Sequence, residues 1–396
     1  MSSSLQQNGT LGEFFAVDRR VWADVVRLGM NAAVAYLVLA RGTGRDNRST
    51  SWSIQAIERY TGISRSRAGA AVRLLCESRF IQSVGLTSRP QYRLVEYEAL
   101  LTQVALKPLT IREQVLYERI SEGKQPSGTE RTCASRLVNK RYLSIDGVGN
   151  FRPAVCRPEW IWLPNALVTG AASETPPVEL VRQMQDPMIL RLLIDLYDAQ
   201  NLREDGGVSR FVAHSTWERA SVGEHAQYIV WGFRPNETTM AFGESAPVAP
   251  HLDKSAKNSS ATYAPFWPRF QLLVRAGLIE WLPYLFESED REAEAIHPYG
   301  IGGSDGIEDR IGSAAHEAAL RLLTSGQAEW TRENNFWLAP VPRHIAKVAM
   351  IGVARLRYRP RTKLTAAWSA ELHSIGERWF ERYSQLRQSD RLAASR

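Results

Sequence analysis

The chain has 396 residues, of which 44% are hydrophobic and 23% charged, and its formal net charge is +7. This length predicts about two to four domains, and the composition is that of an ordinary globular protein. No apolar run approaches the roughly 20 residues of a membrane-spanning helix, and the N-terminus lacks the order of a signal peptide, so we expect a cytoplasmic protein.

The charge is unevenly distributed along the chain. Residues 1–170 contain 23 basic and 14 acidic residues, residues 171–340 contain 14 and 24, and residues 341–396 contain 12 and 4. Basic segments on either side of an acidic one are typical of a protein that contacts a polyanion through its ends. The alternative is that the basic and acidic segments neutralise one another within the fold.

Sequence motifs for catalysis and metal binding are weak. Cys76, Cys133 and Cys156 are widely spaced and predict free thiols rather than a disulfide framework or a zinc site. The glycine-rich residues 300–303 lack dinucleotide spacing, and His316 lacks the second histidine of a metalloprotease helix. We therefore expect a protein that is not an enzyme, with no catalytic residue, no metal and no cofactor.

The first strong pattern spans residues 21–98. Apolar residues at helical spacing predict a helix over 21–41, and Ser53 is a plausible N-cap for a short helix that ends at Thr61. Gly62 can adopt the positive φ of a sharp turn, and Ser64 can cap a further helix over 65–78. Residues 82–97 alternate as in a hairpin.

This order, together with the residues from Ile57 to Arg67 and from Val72 to Ile81, resembles the bacterial winged helix-turn-helix DNA-binding proteins. Glu58 and Ala68 depart from the family pattern. The resemblance implies that the helix after Gly62 enters the major groove and that the hairpin follows the DNA backbone. The DNA-binding candidates are Arg65, Ser66, Arg67, Arg73, Arg89, Gln91 and Arg93. The alternative is that these arginines only solvate a helix surface.

A second, reduced copy of this order is predicted over residues 105–169. It combines a helix over 109–121, a helix over 129–139 and a hairpin over 142–151. The corresponding DNA-binding candidates are Arg131, Ser135, Arg136, Lys140 and Arg141. Here surface solvation explains the charges about as well.

The remaining chain has a strong helical pattern over 178–200, an irregular stretch over 207–263 and a helix and strand over 266–286. One interpretation of the last pair is a third, elaborated winged helix. Arg355, Arg357, Arg359 and Arg361 alternate along the chain, which suits either a phosphate track or a contact with the acidic middle segment.

The predicted fold class is mainly α with small β-hairpin wings (α+β), built as tandem winged helix-turn-helix domains with a C-terminal helical region. The predicted divisions are a tail at 1–20, a winged helix-turn-helix at 21–98, a reduced winged helix at 105–169, an acidic middle domain at 178–299 and a basic helical region at 307–396.

The functional prediction is a sequence-specific double-stranded DNA-binding protein that acts as a transcription regulator or as a replication initiator of a bacterium or mobile element. The tandem order is similar to that of plasmid replication initiators with two winged helices. Expected partners are double-stranded DNA at the nucleoid and a homodimer or protein partner through the acidic middle domain. The alternative is a non-catalytic adaptor that uses its winged helices for protein contacts.

Overall fold

The computed structural model describes residues 13–84, 91–97, 99–100, 109–140, 142–145, 149–153, 158–171, 174–225, 227–290, 292–301 and 306–393. The chain divides into two compact units. The N-terminal unit is formed by residues 15–161, and the C-terminal unit combines the chain before residue 15 with residues 162–396.

The N-terminal unit contains helices and short strands. Its helices are α1 (Arg19–Val25), α2 (Met30–Arg41), α3 (Ile54–Thr61), α4 (Arg65–Glu77), α5 (Ile111–Ser121) and α6 (Arg131–Asn139). Strand β1 (Phe14–Asp18) begins just before this unit, and its internal strands are β2 (Ser49–Thr50), β3 (Ile81–Ser83), β4 (Tyr92–Leu94), β5 (Leu143–Ile145) and β6 (Phe151–Pro153). Strand β7 (Trp160–Pro164) ends just after it. Strands β2, β4 and β3 form an antiparallel sheet in that order, β5 pairs with β6, and β1 pairs with β7.

Helix α2 lies at the centre of the first half of this unit. Each residue from Ala32 to Ala40 is at most 2% exposed, and the helix packs against α3 and α4. The sequence predicts one helix over 21–41, but Gly29 adopts a φ of 99° and separates α1 from α2. That backbone conformation favours glycine, since a side chain there is strained.

The second half of the unit has its own small core. Its buried residues come from α5, α6, β5 and β6 and are Leu116, Ile120, Cys133, Ala134, Leu137, Leu143 and Phe151. The side-chain amide of Gln125 donates to the carbonyl of Phe151 at 2.9 Å and accepts from its N–H at 2.8 Å. This reciprocal pair holds β6 against the segment that follows α5.

The C-terminal unit is larger and contains most of the strand residues. Its helices are α7 (Ala166–Thr169), α8 (Pro177–Gln183), α9 (Pro187–Asp198), α10 (Ser259–Thr262), α11 (Phe266–Arg275), α12 (Ile307–Arg321), α13 (Ser325–Glu333) and α14 (Lys363–Ala393). Its further strands are β8 (Gln200–Asn201), β9 (Gly207–Val208), β10 (Ala213–His225), β11 (Tyr228–Ala241), β12 (Ile279–Phe286), β13 (Ala295–Pro298), β14 (Trp337–Pro342) and β15 (Ala349–Leu356).

Six of these strands form one curled antiparallel sheet in the order β13-β12-β15-β10-β11-β14. Strand β15 joins two hairpin-like pairs, because it pairs with β12 along its whole length and with β10 through its middle. All eight residues of β15 are buried. The strand that comes last in the chain therefore lies inside the sheet.

Helices α12 and α14 pack with this sheet around a shared core. Tyr299, Ile311, Ala315 and Tyr383 are each at most 1% exposed and belong to one hydrophobic cluster. The Tyr383 hydroxyl and His297 Nε2 are 2.7 Å apart, and the other ring nitrogen of His297 lies 2.8 Å from the carbonyl of Pro298. Both polar groups are thus satisfied in a buried position, as burial requires.

Arg355 forms a buried ionic network in the middle of the unit. It is 4% exposed, and its guanidinium donates to Glu308 Oε1 at 2.8 Å, to the Tyr284 hydroxyl at 2.7 Å and to the carbonyl of Gly206 at 3.2 Å. Burial raises the pKa of Tyr284, which keeps this hydroxyl protonated. Because each of the three guanidinium nitrogens donates to an acceptor, the charge is tolerated inside the protein.

The other alternating arginines also have partners within the unit. Arg357 bonds Glu174 at 2.6 Å, Arg361 pairs with Glu13 at 3.1 Å, and the guanidinium carbon of Arg359 lies 5.0 Å from the centre of the Trp368 ring. These residues therefore hold the fold together and do not form an open phosphate track.

The predicted fold class is wrong. The protein is 46% helical and 23% strand, and its largest element is the six-stranded sheet rather than small hairpin wings. Strands β10 and β11 occupy the stretch predicted to be irregular, β14 and β15 lie in the region predicted to be helical, and β12 joins the sheet instead of forming a third wing.

Local sequence patterns explain these errors. In β10 the register shifts between Ser215 and Trp217 and again between Ser221 and Gly223, so the alternation that marks a strand is interrupted. The continuous apolar run of β15 does not distinguish a buried strand from a helix. The predicted helix over 178–200 is two helices, since Gln185 has a φ of 60° and Asp186 caps α9.

Among the described residues, no helix combines the length and the hydropathy needed to span a membrane.

Replacing Glu308 with Gln should destabilise the C-terminal unit by about 3 kcal/mol, because the buried Arg355 charge loses its counter-ion. The Arg355 and Glu308 side chains are only 5% and 17% exposed. Removing the exposed Arg357 side chain, whose ion pair with Glu174 is about half solvated, should cost about 1 kcal/mol or less. Urea unfolding of the full chain measures both, and equal costs would contradict the structural role of Arg355.

Candidate nucleic-acid interface

A tight turn between α3 and α4 fixes the position of α4. Gly62 has a φ of 64°, and the Thr61 hydroxyl donates to the carbonyl of Ile57 at 2.6 Å while accepting from the N–H of Ile63 at 3.2 Å. Thr61 is fully buried. A glycine in the left-handed conformation and a buried hydroxyl thus close the turn, as the sequence predicted for Gly62.

Helix α4 has one buried and one exposed face. Its buried residues are Ala68, Gly69, Ala71, Val72 and Leu75. Its exposed residues include the candidates Arg65, Ser66, Arg67 and Arg73. Within the described part of the chain, no carboxylate pairs with any of these three arginines. The face therefore presents three guanidiniums whose hydrogen-bond donors are available to a ligand.

The β3–β4 hairpin contributes less unpaired positive charge than α4 does. Gln91 and Arg93 are exposed, and Arg93 lies 3.9 Å from Glu96, which also contacts Arg48 at 3.9 Å. Arg89 lies outside the described residues. In this part of the candidate interface, one acidic residue partly offsets the positive charge.

In the second half of the unit the candidates separate into two groups. Arg131, Ser135 and Arg136 are exposed on α6. Lys140 is only 21% exposed and donates to Glu113 at 2.7 Å, so it bridges α6 and α5. Arg141 lies outside the described residues. Lys140 thus has a structural partner, while the exposed residues of α6 stay candidates.

An open pocket lies just before and along α3. It has a volume of about 350 Å³ and is lined by Ser51, Trp52, Ser53, Gln55, Ala56, Arg59 and Tyr60. Ser53 caps the helix by accepting from the N–H of Gln55 at 3.3 Å. We term this feature the α3 pocket.

Aromatic rings and guanidiniums form a column beside the α3 pocket. The Trp52 and Tyr60 rings stack with centroids 5.1 Å apart and planes inclined by 18°. The guanidinium carbons of Arg41 and Arg59 each lie 5.4 Å from one ring, that of Trp52 and that of Tyr60 respectively. An added Cβ at Gly42 would lie 2.3 Å from Trp52, so glycine is required for this close packing.

The sequence patterns did not identify the α3 pocket. Ser53 was predicted as a helix cap, but Arg41 belongs to a different helix from Arg59, and only the fold of residues 42–53 brings the column together. The one local signal is the pair of aromatic residues Trp52, just before α3, and Tyr60, near its end.

A second depression, the α5–α6 groove, has both apolar and charged lining residues. It has a volume of about 360 Å³ and is lined by Ile111, Val115, Leu116 and Cys133 together with Arg112, Arg119 and Glu130. Ile111 is 87% exposed and Val115 is 52% exposed. Reciprocal hydrogen bonds between Thr110 and Glu113 cap α5 and hold its first turn in place. Ile111 is thus an exposed apolar side chain on a capped helix.

Cysteines and acidic residues do not converge on a metal site in the described part of the chain. There, no group of three or more histidine, cysteine, aspartate or glutamate side chains is suited to hold a metal ion. Cys76 is half-buried and Cys133 is buried, and both are free thiols, whereas Cys156 lies outside the described residues.

The Lys140–Glu113 pair should stabilise the N-terminal unit in a pH-dependent manner. The hydrogen bond from Lys140, with those from Thr110, lowers the pKa of Glu113 from 4.5 to about 2. A lowered pKa stabilises the fold above the ordinary value, and this contribution is lost as the pH falls towards 2. The melting temperature of Lys140→Met should therefore lie below that of the wild type at pH 7, with a smaller difference at pH 3.

The control for this prediction is Lys124→Met. Lys124 pairs with Glu122 at 3.0 Å, but both side chains are more than 60% exposed. This variant should melt close to the wild type at both pH values. A melting difference for Lys140→Met that does not change with pH would contradict the assigned role of Glu113.

Comparison of the chain with protein-family models, curated proteins and solved structures found no match in any of the three. Its functional interpretation therefore depends on three surfaces of the N-terminal unit: the exposed face of α4, the α3 pocket and the α5–α6 groove.

Proposed function

We propose that this chain is a non-catalytic protein that binds double-stranded DNA in a sequence-specific manner through α4. The observation that carries the proposal is the exposed face of α4, where Arg65, Arg67 and Arg73 have no carboxylate partner among the described residues. An arginine with free donors can form two hydrogen bonds with the major-groove edge of guanine.

The elements around α4 support this proposal. Helix α3, the turn at Gly62, α4 and the β3–β4 hairpin follow each other in the order of a helix-turn-helix with a flanking hairpin. In DNA-binding proteins of that order, the second helix lies in the major groove, which is about 12 Å wide and admits one helix. The exposed Gln91 and Arg93 would then contact the flanking backbone.

Charge distribution supports the same assignment. Three basic residues near the C-terminus, Arg355, Arg357 and Arg361, are engaged within their own unit through Glu308, Glu174 and Glu13. The guanidiniums of α4 are not engaged in this way. Positive charge that no acidic residue neutralises is the usual basis for attraction to a polyanion.

The biological role proposed for this duplex contact is that of a transcription regulator or a replication initiator in a bacterium or mobile element. Either role would place the protein at the nucleoid. Both require the same contact between α4 and base edges, so the experiments below apply equally to both.

Binding of the full chain to duplex DNA should fall steeply with salt. If six or more phosphates are contacted, a fourfold increase in salt should lower the affinity by roughly 10³-fold. Fluorescence anisotropy with a labelled duplex of random sequence measures this slope. An absence of duplex binding at low salt would end the proposal.

Replacing both Arg65 and Arg67 with Ala should weaken binding to a selected duplex by about 10-fold to 100-fold, because base contacts are lost. The selected duplex is first obtained by repeated enrichment from a random pool. The matched control is Arg27→Ala, which removes a 72% exposed arginine outside α4. Equal binding by the double variant and the control would show that α4 is not the contact surface.

The α5–α6 groove favours a second candidate function, that of an adaptor. An ordered, exposed apolar pair such as Ile111 and Val115 is typical of a surface that contacts another protein. An adaptor would bind no duplex at any salt concentration, whereas the proposed DNA-binding protein would retain duplex binding after Ile111→Ser and Val115→Ser.

A further inference from the structure

The α3 pocket has the chemistry of an anion site. Its lining includes the polar residues Ser51, Ser53, Gln55 and Arg59, and no carboxylate is among the described residues that line it. Arg59 is exposed and forms no ion pair within the described part of the chain. Hydroxyl, amide and guanidinium groups together can donate several hydrogen bonds to one phosphate.

The aromatic column fixes Arg59 in position. Its guanidinium carbon lies 5.4 Å from the Tyr60 ring, which in turn stacks on Trp52. Contact with an aromatic face restricts a long side chain and leaves its donors free at the edge. Each ring is already in contact with the other ring and with one guanidinium. The groups that remain available to a ligand are therefore the hydrogen-bond donors of the pocket. These donors suit a phosphate better than a stacked base.

The start of α3, next to the pocket, lies near one arginine of α4. A Cβ added at Gly69 would be 3.7 Å from the side chain of Ile54, the first residue of α3, and 3.9 Å from the guanidinium of Arg73. The start of α3 and the Arg73 guanidinium of α4 are therefore close to one another. A duplex whose major groove held α4 would bring one of its flanking strands to this place.

We propose that the α3 pocket binds one backbone phosphate of the same duplex, with Arg59 as the cation and Gln55 and Ser51 as hydrogen-bond donors. This inference rests on the proposed function and extends it. Because a phosphate is the same at every base pair, the contact adds affinity and fixes register, and it does not read sequence.

Arg59→Ala should therefore weaken binding to the selected duplex and to an unrelated duplex by a similar factor, about fivefold at moderate salt, and should lower the salt slope by about 1. The pair Arg65→Ala and Arg67→Ala should instead reduce the preference between the two duplexes. Arg27→Ala is again the matched control, with no expected change. A thermal melt of each variant verifies that it folds.

A double-substitution cycle identifies the phosphate directly. Neutral methylphosphonates are placed one at a time along the selected duplex, and each is tested with the wild type and with Arg59→Ala. At one position per bound α4 the wild type should lose affinity while the variant loses none, and at every other contacted phosphate the two should lose affinity to a similar extent. That coupling would support the inference, since removing either partner of one contact makes removal of the other neutral.

The outcomes separate the two proposals. If the α4 variants weaken binding while Arg59→Ala binds as tightly as the wild type, the phosphate site is overturned and the proposed function stands. If Arg59→Ala loses a different factor of affinity for each of the two duplexes, the phosphate site is also overturned, because the contact would then be to a base. If the wild type binds no duplex, the proposed function fails and the phosphate site fails with it.

Discussion

The turn between α3 and α4 determines which side of α4 meets solvent. Gly62 in the left-handed conformation and the buried Thr61 hydroxyl leave α4 little freedom to rotate, since Ala68 and Leu75 are fully buried beneath it. Any other rotation would bury a guanidinium without a partner, which is costly. The exposed arginines of α4 and the neighbouring α3 pocket both depend on this one backbone geometry.

Whether an arginine stabilises the fold or stays available to a ligand depends on whether an acidic residue lies within reach. Arg355 is taken into the interior of its unit because Glu308, a tyrosine hydroxyl and a carbonyl surround it. Arg357 and Arg361 remain nearer the surface, and each still pairs with a glutamate. On α4 no such partner is present among the described residues, so the charge stays available. The same residue type, arginine, therefore stabilises the fold in one unit and forms a candidate interface in the other.

Short-range patterns predicted several local features of the N-terminal unit. The Ser53 cap, the positive φ of Gly62 and the helix over 65–78 correspond to features of the structure, since each depends on residues within one or two turns. The predicted hairpins over 82–97 and 142–151 correspond to β3 with β4 and β5 with β6. The exposure of Arg67 and Arg73 follows from the same helical periodicity, whereas Arg65 lies in line with the buried Ala68 and Val72 and is exposed as the first residue of α4.

Features that depend on distant residues could not be predicted in this way. The six-stranded sheet places β15 between β12 and β10, and neither the register shifts of β10 nor the apolar run of β15 indicates that position. The bond between Lys140 and Glu113 spans 27 residues, and the aromatic column beside the α3 pocket takes Arg41 and Arg59 from different helices. In each case tertiary contacts decide what the local pattern leaves open.

The order of strands in the sheet also constrains how the protein can fold while it is being synthesised. The β10–β11 pair and the β12–β13 pair leave the ribosome as separate ribbons, and each keeps an edge without a partner until β15 has been made. Pairing between distant segments is slow, because a long loop must close before any contact compensates for it. Residues 15–161 need no strand later than β7, which pairs with β1, so the N-terminal unit can complete its fold while the six-stranded sheet is still being translated. In a nascent chain, α4 would thus be folded well before the C-terminal unit is protected from aggregation.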